Sequence, residues 1–267
     1  MAQRTLINRV PHMFQRKVGE LAKRPHLVAA DASVTQAAAV MAREGVSCLA
    51  AVTGAKVVGF LTERDLVRHL DVDLEPHTPI REFLSRPTGA IARDLPVSEA
   101  VKLMLERRVR HLAVVDFGGS LLGLVTDKEL VDALAVDFMV ESVTCRQLMR
   151  PDTAALPPDR PVREALALMR LRNVGCILVV ADGRPAGIFS ERDATARIMG
   201  RPERLAEPLS GHMSAPVVAV PADALVYKVI LFMRQKGVRR VAVIEADGTL
   251  SGILTQQDIL AYARRLD

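Results

Sequence analysis

The chain has 267 residues, no tryptophan, and only 3% aromatic residues. A core without large rings must be filled by Val, Leu, Ile, Ala and Met, a mixture that suits β-branched strands beside Ala- and Leu-rich helices. Scarce aromatics also leave few platforms for stacking bases, so the net charge of +5 favours phosphate-bearing partners without pointing to nucleic acid. Cysteine is rare. Cys48, Cys145 and Cys176 are odd in number and form no close pair, which excludes a disulfide framework or a clustered metal site and leaves buried reduced thiols. No run approaches the roughly 20 apolar residues of a membrane span, and the Arg4, Arg9 and Arg16 segment holds no leader-like apolar stretch, so a cytoplasmic location is expected. Neither a Gly-x-Gly-x-x-Gly fingerprint nor a Gly-Lys-Ser/Thr phosphate loop occurs, and no Ser-His-Asp or Cys-His constellation stands out. The reading is therefore of a protein that is not an enzyme. His69, Asp71, Asp73, Glu75 and His77 crowd one loop, but no second ligand cluster completes a shell, and a solvated connection is expected there.

What the chain does have is repetition. Gly59-Phe60-Leu61-Thr62-Glu63-Arg64-Asp65 returns as stretches beginning at Gly123, Gly187 and Gly252, at spacings of 64, 64 and 65 residues. Each copy offers an extended segment, an amphipathic helix, two apolar runs around a turn, and a second helix. In the first copy Pro25 to Ala30 is extended, and Asp31-Ala32-Ser33 caps a helix whose inward face carries Val34, Ala38 and Met41 before it ends near Gly45. The corresponding triplets are Val97, Val101, Met104, then Val162, Leu166, Met169, then Leu225, Val229, Phe232. A unit of about 60 residues is too small for a comfortable core, so copies should pair. A longer period of 128 to 129 residues marks the pairs: copies one and three end in Glu-Arg-Asp, whereas copies two and four carry Arg110-His111 and Arg239-Arg240 at a strand start. The expected fold is α/β (α+β): a basic lead-in at 1–17, one paired module at 18–140 (repeats 18–75 and 76–140), and a second at 141–267 (repeats 141–203 and 204–267), each pseudo-twofold.

The hydroxyl and acid of each repeat, Thr62 with Asp65 for example, allow two readings. A hydroxyl followed three residues later by an acid is a capping box, which stabilises a helix by about 1 kcal/mol without any ligand. Alternatively, a short carboxylate beside a helix N-terminus can accept hydrogen bonds from both hydroxyls of a ribose, while free N–H groups and arginines take phosphate. Arg64, Arg192, Arg110, His111, Arg239 and Arg240 are the cations placed to do so if odd and even copies pair.

Val34-Thr35-Gln36-Ala37, Val97-Ser98-Glu99-Ala100 and Val162-Arg163-Glu164-Ala165, the Arg110-His111-Leu112-Ala113-Val114-Val115 strand, and the Gly-x-x-Thr/Ser-x-x-Asp endings together resemble the cystathionine-β-synthase (CBS) domain over about residues 18 to 267. The resemblance implies four β-α-β-β-α repeats in two tandem modules that bind adenosine-containing ligands (AMP, ADP, ATP or S-adenosylmethionine) as a regulatory signal. Carried over by position, the ribose pairs are Thr62 with Asp65, Ser190 with Asp193, and Thr255 with Asp258. Gly89, Val109, Arg110 and His111 would wall the first cleft; Val217, Val238, Arg239 and Arg240 the second; Ala154 and Val174 the third. Glu129 departs from the pattern, and its extra methylene would intrude on the ribose space. Occupancy is expected in the order Asp65 and Asp193, then Asp258, then Glu129. The alternative is a ligand-free scaffold for dimerisation or partner docking. A homodimer and a regulated protein are the expected partners, with neither nucleic acid nor membrane among them.

Overall fold

A computed structural model of the protein describes residues 16–54, 56–70, 75–85, 90–134 and 142–265. Copy one comprises β1 (His26–Ala29), α1 (Val34–Glu44), β2 (Cys48–Thr53), β3 (Lys56–Thr62) and α2 (Glu63–His69). Copy two comprises β4 (Ile91–Ala92), α3 (Val97–Glu106), β5 (His111–Val115), β6 (Leu121–Thr126) and α4 (Asp127–Leu134). A short α5 (Cys145–Leu148) leads into copy three, which has β7 (Ala155–Leu156), α6 (Val162–Leu171), β8 (Cys176–Ala181), β9 (Arg184–Ser190) and α7 (Glu191–Asp193), the last continuing as a π-helical turn over Ala194–Ile198. Copy four has β10 (Ala219–Pro221), α8 (Val226–Lys236), β11 (Arg240–Ile244), β12 (Leu250–Thr255) and α9 (Gln256–Ala263). Every copy forms one three-stranded sheet in which the first strand pairs parallel and the third antiparallel with the second.

Alternation along the central strands assigns their two faces. In β2, Cys48 and Ala50 face the sheet of copy two, meeting Ala113 and Leu124, while Leu49 and Ala51 face the helices. Cys176 and Leu178 meet Ala242 and Ile253 in the same way between copies three and four. The sheets therefore pair one with two and three with four. The helical faces join the other way: one core combines copies one and three, another copies two and four. Copy one thus touches two by sheet and three by helix, and copy four touches three by sheet and two by helix, so the ring closes within a single chain.

Each pair is also interlocked by its lead-in segments. Ser85, ahead of copy two, bridges to Phe60 of copy one, and Lys23, ahead of copy one, bridges to Leu124 of copy two; Ser214 with Ile188 and Arg150 with Ile253 repeat the exchange. This crossing explains the recurrent glycine: a Cβ on Gly123 would stand 2.5 Å from the carbonyl oxygen of Lys23, and one on Gly252 would stand 2.7 Å from that of Arg150.

Ser33 caps α1 and Gly45 ends it in a left-handed conformation (φ 66°), as the spacing predicts. The fourth copy differs by one residue. Its inward face is Val226, Val229, Ile230 and Met233; Leu225 has extended backbone as the N-cap, and Phe232 is only half-buried, so the Leu225, Val229, Phe232 triplet was out of register at both ends. The three thiols are free and buried. No helix among the described residues is long and apolar enough to cross a membrane.

Candidate functional site

The strand-to-helix junctions of copies one, three and four, at Thr62, Ser190 and Thr255, each line a cavity. At Thr62 the capping box is complete: Asp65 N–H donates to Thr62 Oγ1 at 3.2 Å, and Asp65 Oδ2 accepts from Thr62 N at 2.9 Å and Oγ1 at 2.6 Å. Ser190 with Asp193 and Thr255 with Asp258 repeat this geometry. Helix capping is thus realised in full, and any ligand contact comes in addition to it.

Beside each acid stands one residue from the crossing lead-in segment, and its chemistry alternates. Ser85 Oγ donates to Asp65 Oδ2 at 3.1 Å, and Ser214 Oγ donates to Asp193 Oδ1 at 2.7 Å. In the even copies the same place holds a cation: Arg150 lies 3.1 Å from Asp258, and Lys23 lies 2.9 Å from Glu129. A serine leaves the carboxylate its charge and marks where a neutral hydroxyl donor fits; a basic side chain neutralises the acid and fills the position. These four lead-in residues were not legible from the repeat, because the contact depends on the exchange between copies.

The cavities follow suit. Around Asp65 lies one of about 370 Å³, walled by Cys48, Phe60, Ser85, Val109, Arg110 and His111. A second, of about 380 Å³, surrounds Ser190 and Asp193 and is walled by Val217, Val238, Arg239 and Arg240. A third, of about 190 Å³, is lined by Thr255, Ala154 and Val174 but not by Asp258, reaches Arg64, Arg110 and Asp127 of the other module, and falls below the roughly 300 Å³ at which small-molecule sites begin. Every wall residue named from sequence lines its expected cavity except Gly89, which lies outside the described residues. Burial, with Asp65 nearby, pushes the Cys48 thiol up to about 12, so it acts as an apolar wall.

The cations are committed differently from the sequence expectation. Arg64 Nε lies 3.0 Å from Glu191, and Arg110 bonds the same carboxylate, although Glu191 belongs to the opposite module. Arg192 Nε reciprocates at 3.4 Å from Glu63, and Gln257 donates to Asp127 at 3.5 Å. The first residues of α2, α4, α7 and α9, namely Glu63, Asp127, Glu191 and Gln256, are all buried. The acid and base inside each Glu-Arg-Asp are thus a cross-module tie. The recurrence of an acid directly after the hydroxyl in three of the four copies is the signal the sequence offers for this tie. His111 is no cation: burial first, then Arg239 and Arg110, hold it well below the ordinary imidazole range, and its Nε2 lies 3.0 Å from Ser47 Oγ.

Glu63 and Glu191, 128 residues apart, are electrostatically opposite. For Glu191 burial works upward, but Arg110, Arg64 and Arg240 outweigh it and hold the carboxyl at about 2. For Glu63 burial wins over Arg192 and Arg239, and the carboxyl is raised. The cause is geometric: Arg239, the counterpart of Arg110, lies 4.0 Å from Asp127. A raised carboxyl favours folding at low pH, where it is protonated in both states, and loses that advantage as pH rises past the unfolded value near 4.5. Glu63→Gln is therefore expected to leave stability within about 1 kcal/mol of wild type at pH 7, and to gain on wild type as pH is raised from 4 to 7 in urea melts; a variant that instead loses ground over that range would show Glu63 to be a stabilising ion.

The CBS domain model matches residues 18–72, 80–136, 145–200 and 209–265. The chain belongs to the CBS-domain family. MJ1404 of Methanocaldococcus jannaschii is 25% identical over 253 residues, covering 88% of this CBS chain and 58% of that protein. MK0525 of Methanopyrus kandleri is 31% identical over 123 residues, covering 45% and 63%. The chain thus spans less than two thirds of the length of these curated relatives. Among solved structures, MJ1225 of M. jannaschii, described as a proposed archaeal homologue of γ-AMPK, superposes with a TM-score of 0.83 at 19% identity, covering 93% of this chain and all of that one. A conserved protein of Pyrococcus horikoshii gives 0.64 at 20% identity, covering 92% and 99%. At these identities the likeness speaks for the fold.

Proposed function

We propose that this CBS protein is a non-catalytic sensor that binds adenosine-containing ligands of the AMP, ADP and ATP class in the clefts at Asp65 and Asp193, and transmits occupancy through the tie between its modules. One observation carries the reading: in these two clefts alone among the four, the crossing segment sets a serine rather than a base against the acid, and the base from the acid's own copy, Arg197, stands further off at 3.7 Å from Asp193. The carboxylate can accept from ribose hydroxyls, apolar strand residues are available for adenine, and the arginines that line the clefts, held by Glu191 and Glu63 across the modules, can turn to phosphate. S-adenosylmethionine, with a sulfonium in place of phosphate, suits arginine-lined clefts less well.

Transmission follows from the same residues. Arg64 and Arg110 line the Asp65 cleft and also hold Glu191 of the other module, so a phosphate that draws them away weakens the tie. Calorimetry with AMP and with ATP tests the assignment. Two sites per chain are expected, with the Asp258 cleft weaker and the Glu129 cleft weakest; four equal sites would refute the ordering, and no binding of either nucleotide would refute the sensor. The second reading is a docking or dimerising scaffold, and the completeness of the capping boxes favours it, since the repeated acids then need no ligand to explain them.

A further inference from the structure

The Asp65 and Asp193 cavities are similar in size but not in their arginines. The Asp65 cleft has a graded series, from Arg110 with 11% of its side chain exposed, through Arg64 with 26%, to the exposed Arg68 and Arg108. Among the described residues no ion pair or side-chain hydrogen bond holds Arg68 or Arg108. Arg68 follows Asp65 by three residues and Arg108 precedes Val109; the same offsets from Asp193 and Val238 give Ala196 and Gly237, so the outer cations have no counterpart at these positions of the second cleft, and Arg197, one residue further on, is taken up by Asp193 and the His212 and Met213 carbonyls. The cations that line the Asp193 cleft are engaged: Lys128 with Asp132 at 2.7 Å, Arg192 with Glu63 and the Gly45 carbonyl, Arg240 with the Gly175 carbonyl at 2.7 Å, Arg110 with Glu191, and Arg239 with Asp127 at 4.0 Å.

Arg108 also bears a local cost. Its backbone is left-handed, with φ of 54°, at the turn that ends α3. The equivalent turns of the other copies use Gly45 and Gly237, at φ of 66°, and Asn173, at φ of 50°, residues that adopt this conformation readily. A bulky side chain where glycine or asparagine suffices is a strained choice, and such outliers gather at ligand clamps.

Resting on the sensor reading above, we infer that the two clefts differ in ligand class: the Asp65 cleft selects a nucleoside di- or triphosphate, whose outer phosphates are held by Arg68 and Arg108, whereas the Asp193 cleft does not discriminate by phosphate count. Arg110 and Arg64 face the phosphate nearest the sugar, and the series continues outward as further phosphates are added.

The test is calorimetry on the full chain in an Asp193→Asn background, which leaves the Asp65 cleft as the main site, with AMP and ATP each titrated into the parent, Arg108→Gly and Arg68→Ala. The parent should bind ATP more tightly than AMP. Each substitution should weaken ATP roughly 10-fold, as loss of one charge-assisted contact at an exposed position requires, while AMP changes less than about 2-fold on the same reasoning. Arg108→Gly should meanwhile melt at or above the parent temperature, since glycine suits the turn, so that weaker binding cannot be ascribed to a weaker fold. ATP binding that is unchanged, or AMP and ATP weakened alike, overturns the selectivity and leaves the sensor standing. A parent that binds neither nucleotide overturns both.

Discussion

Replacing Glu191 by Ala is expected to destabilise the protein by about 3–5 kcal/mol, the largest effect of any single substitution outside the apolar core. The carboxylate is 3% exposed and receives Arg64 and Arg110, one from each copy of the opposite module. Without it two guanidiniums remain partly or wholly desolvated with no counter-charge, and burying unpaired charge costs more than a lost surface pair. Because the folded carboxyl lies at about 2, below the ordinary value of 4.5, its contribution is complete above pH 4.5 and disappears as pH falls toward 2. Urea melts of wild type and Glu191→Ala should therefore differ widely at pH 7 and converge near pH 2 to 3. A constant difference across that range would mean the residue acts through packing. The same variant should loosen the contact between modules, which limited proteolysis between copies two and three would detect.

Asp65→Asn and Asp193→Asn should each remove one adenylate site, weakening AMP at that cleft by about 100-fold or more, since two charge-assisted bonds to ribose hydroxyls become neutral ones. The helix ends should barely notice. Thr62 Oγ1 still accepts the N–H of residue 65, and the amide oxygen of asparagine can still accept from Thr62 N, so stability should fall by less than about 1 kcal/mol. The two clefts share Arg110 in their walls, so the first substitution should also alter affinity at the other site. If the double variant binds AMP as wild type does, the acids are helix caps and nothing else, and the scaffold reading takes their place.

Much of this architecture was legible in the residues. The 64-residue recurrence, the helix faces of three copies, and Ser33 and Gly45 as cap and stop all depend on local geometry, which periodicity and cap chemistry report directly. Leu225 misled because an apolar residue at an N-cap looks like one on the helix face; only backbone dihedrals separate the two. The partners of Glu63 and Glu191, and the lead-in quartet of Lys23, Ser85, Arg150 and Ser214, were not legible. Their roles arise from contacts between residues 20 to more than 100 positions apart, and an exposed charged residue and a buried one read alike in one dimension.

The amino-acid order by itself determined the repeat and the elements within it, because these are written in short-range spacing, and its motifs carried the resemblance to the family. Tertiary structure decided what stands against each acid. Whether a carboxylate meets a serine or an arginine depends on a segment crossing from the partner copy, and whether a buried glutamate is held ionised depends on how many guanidiniums the opposite module brings to it.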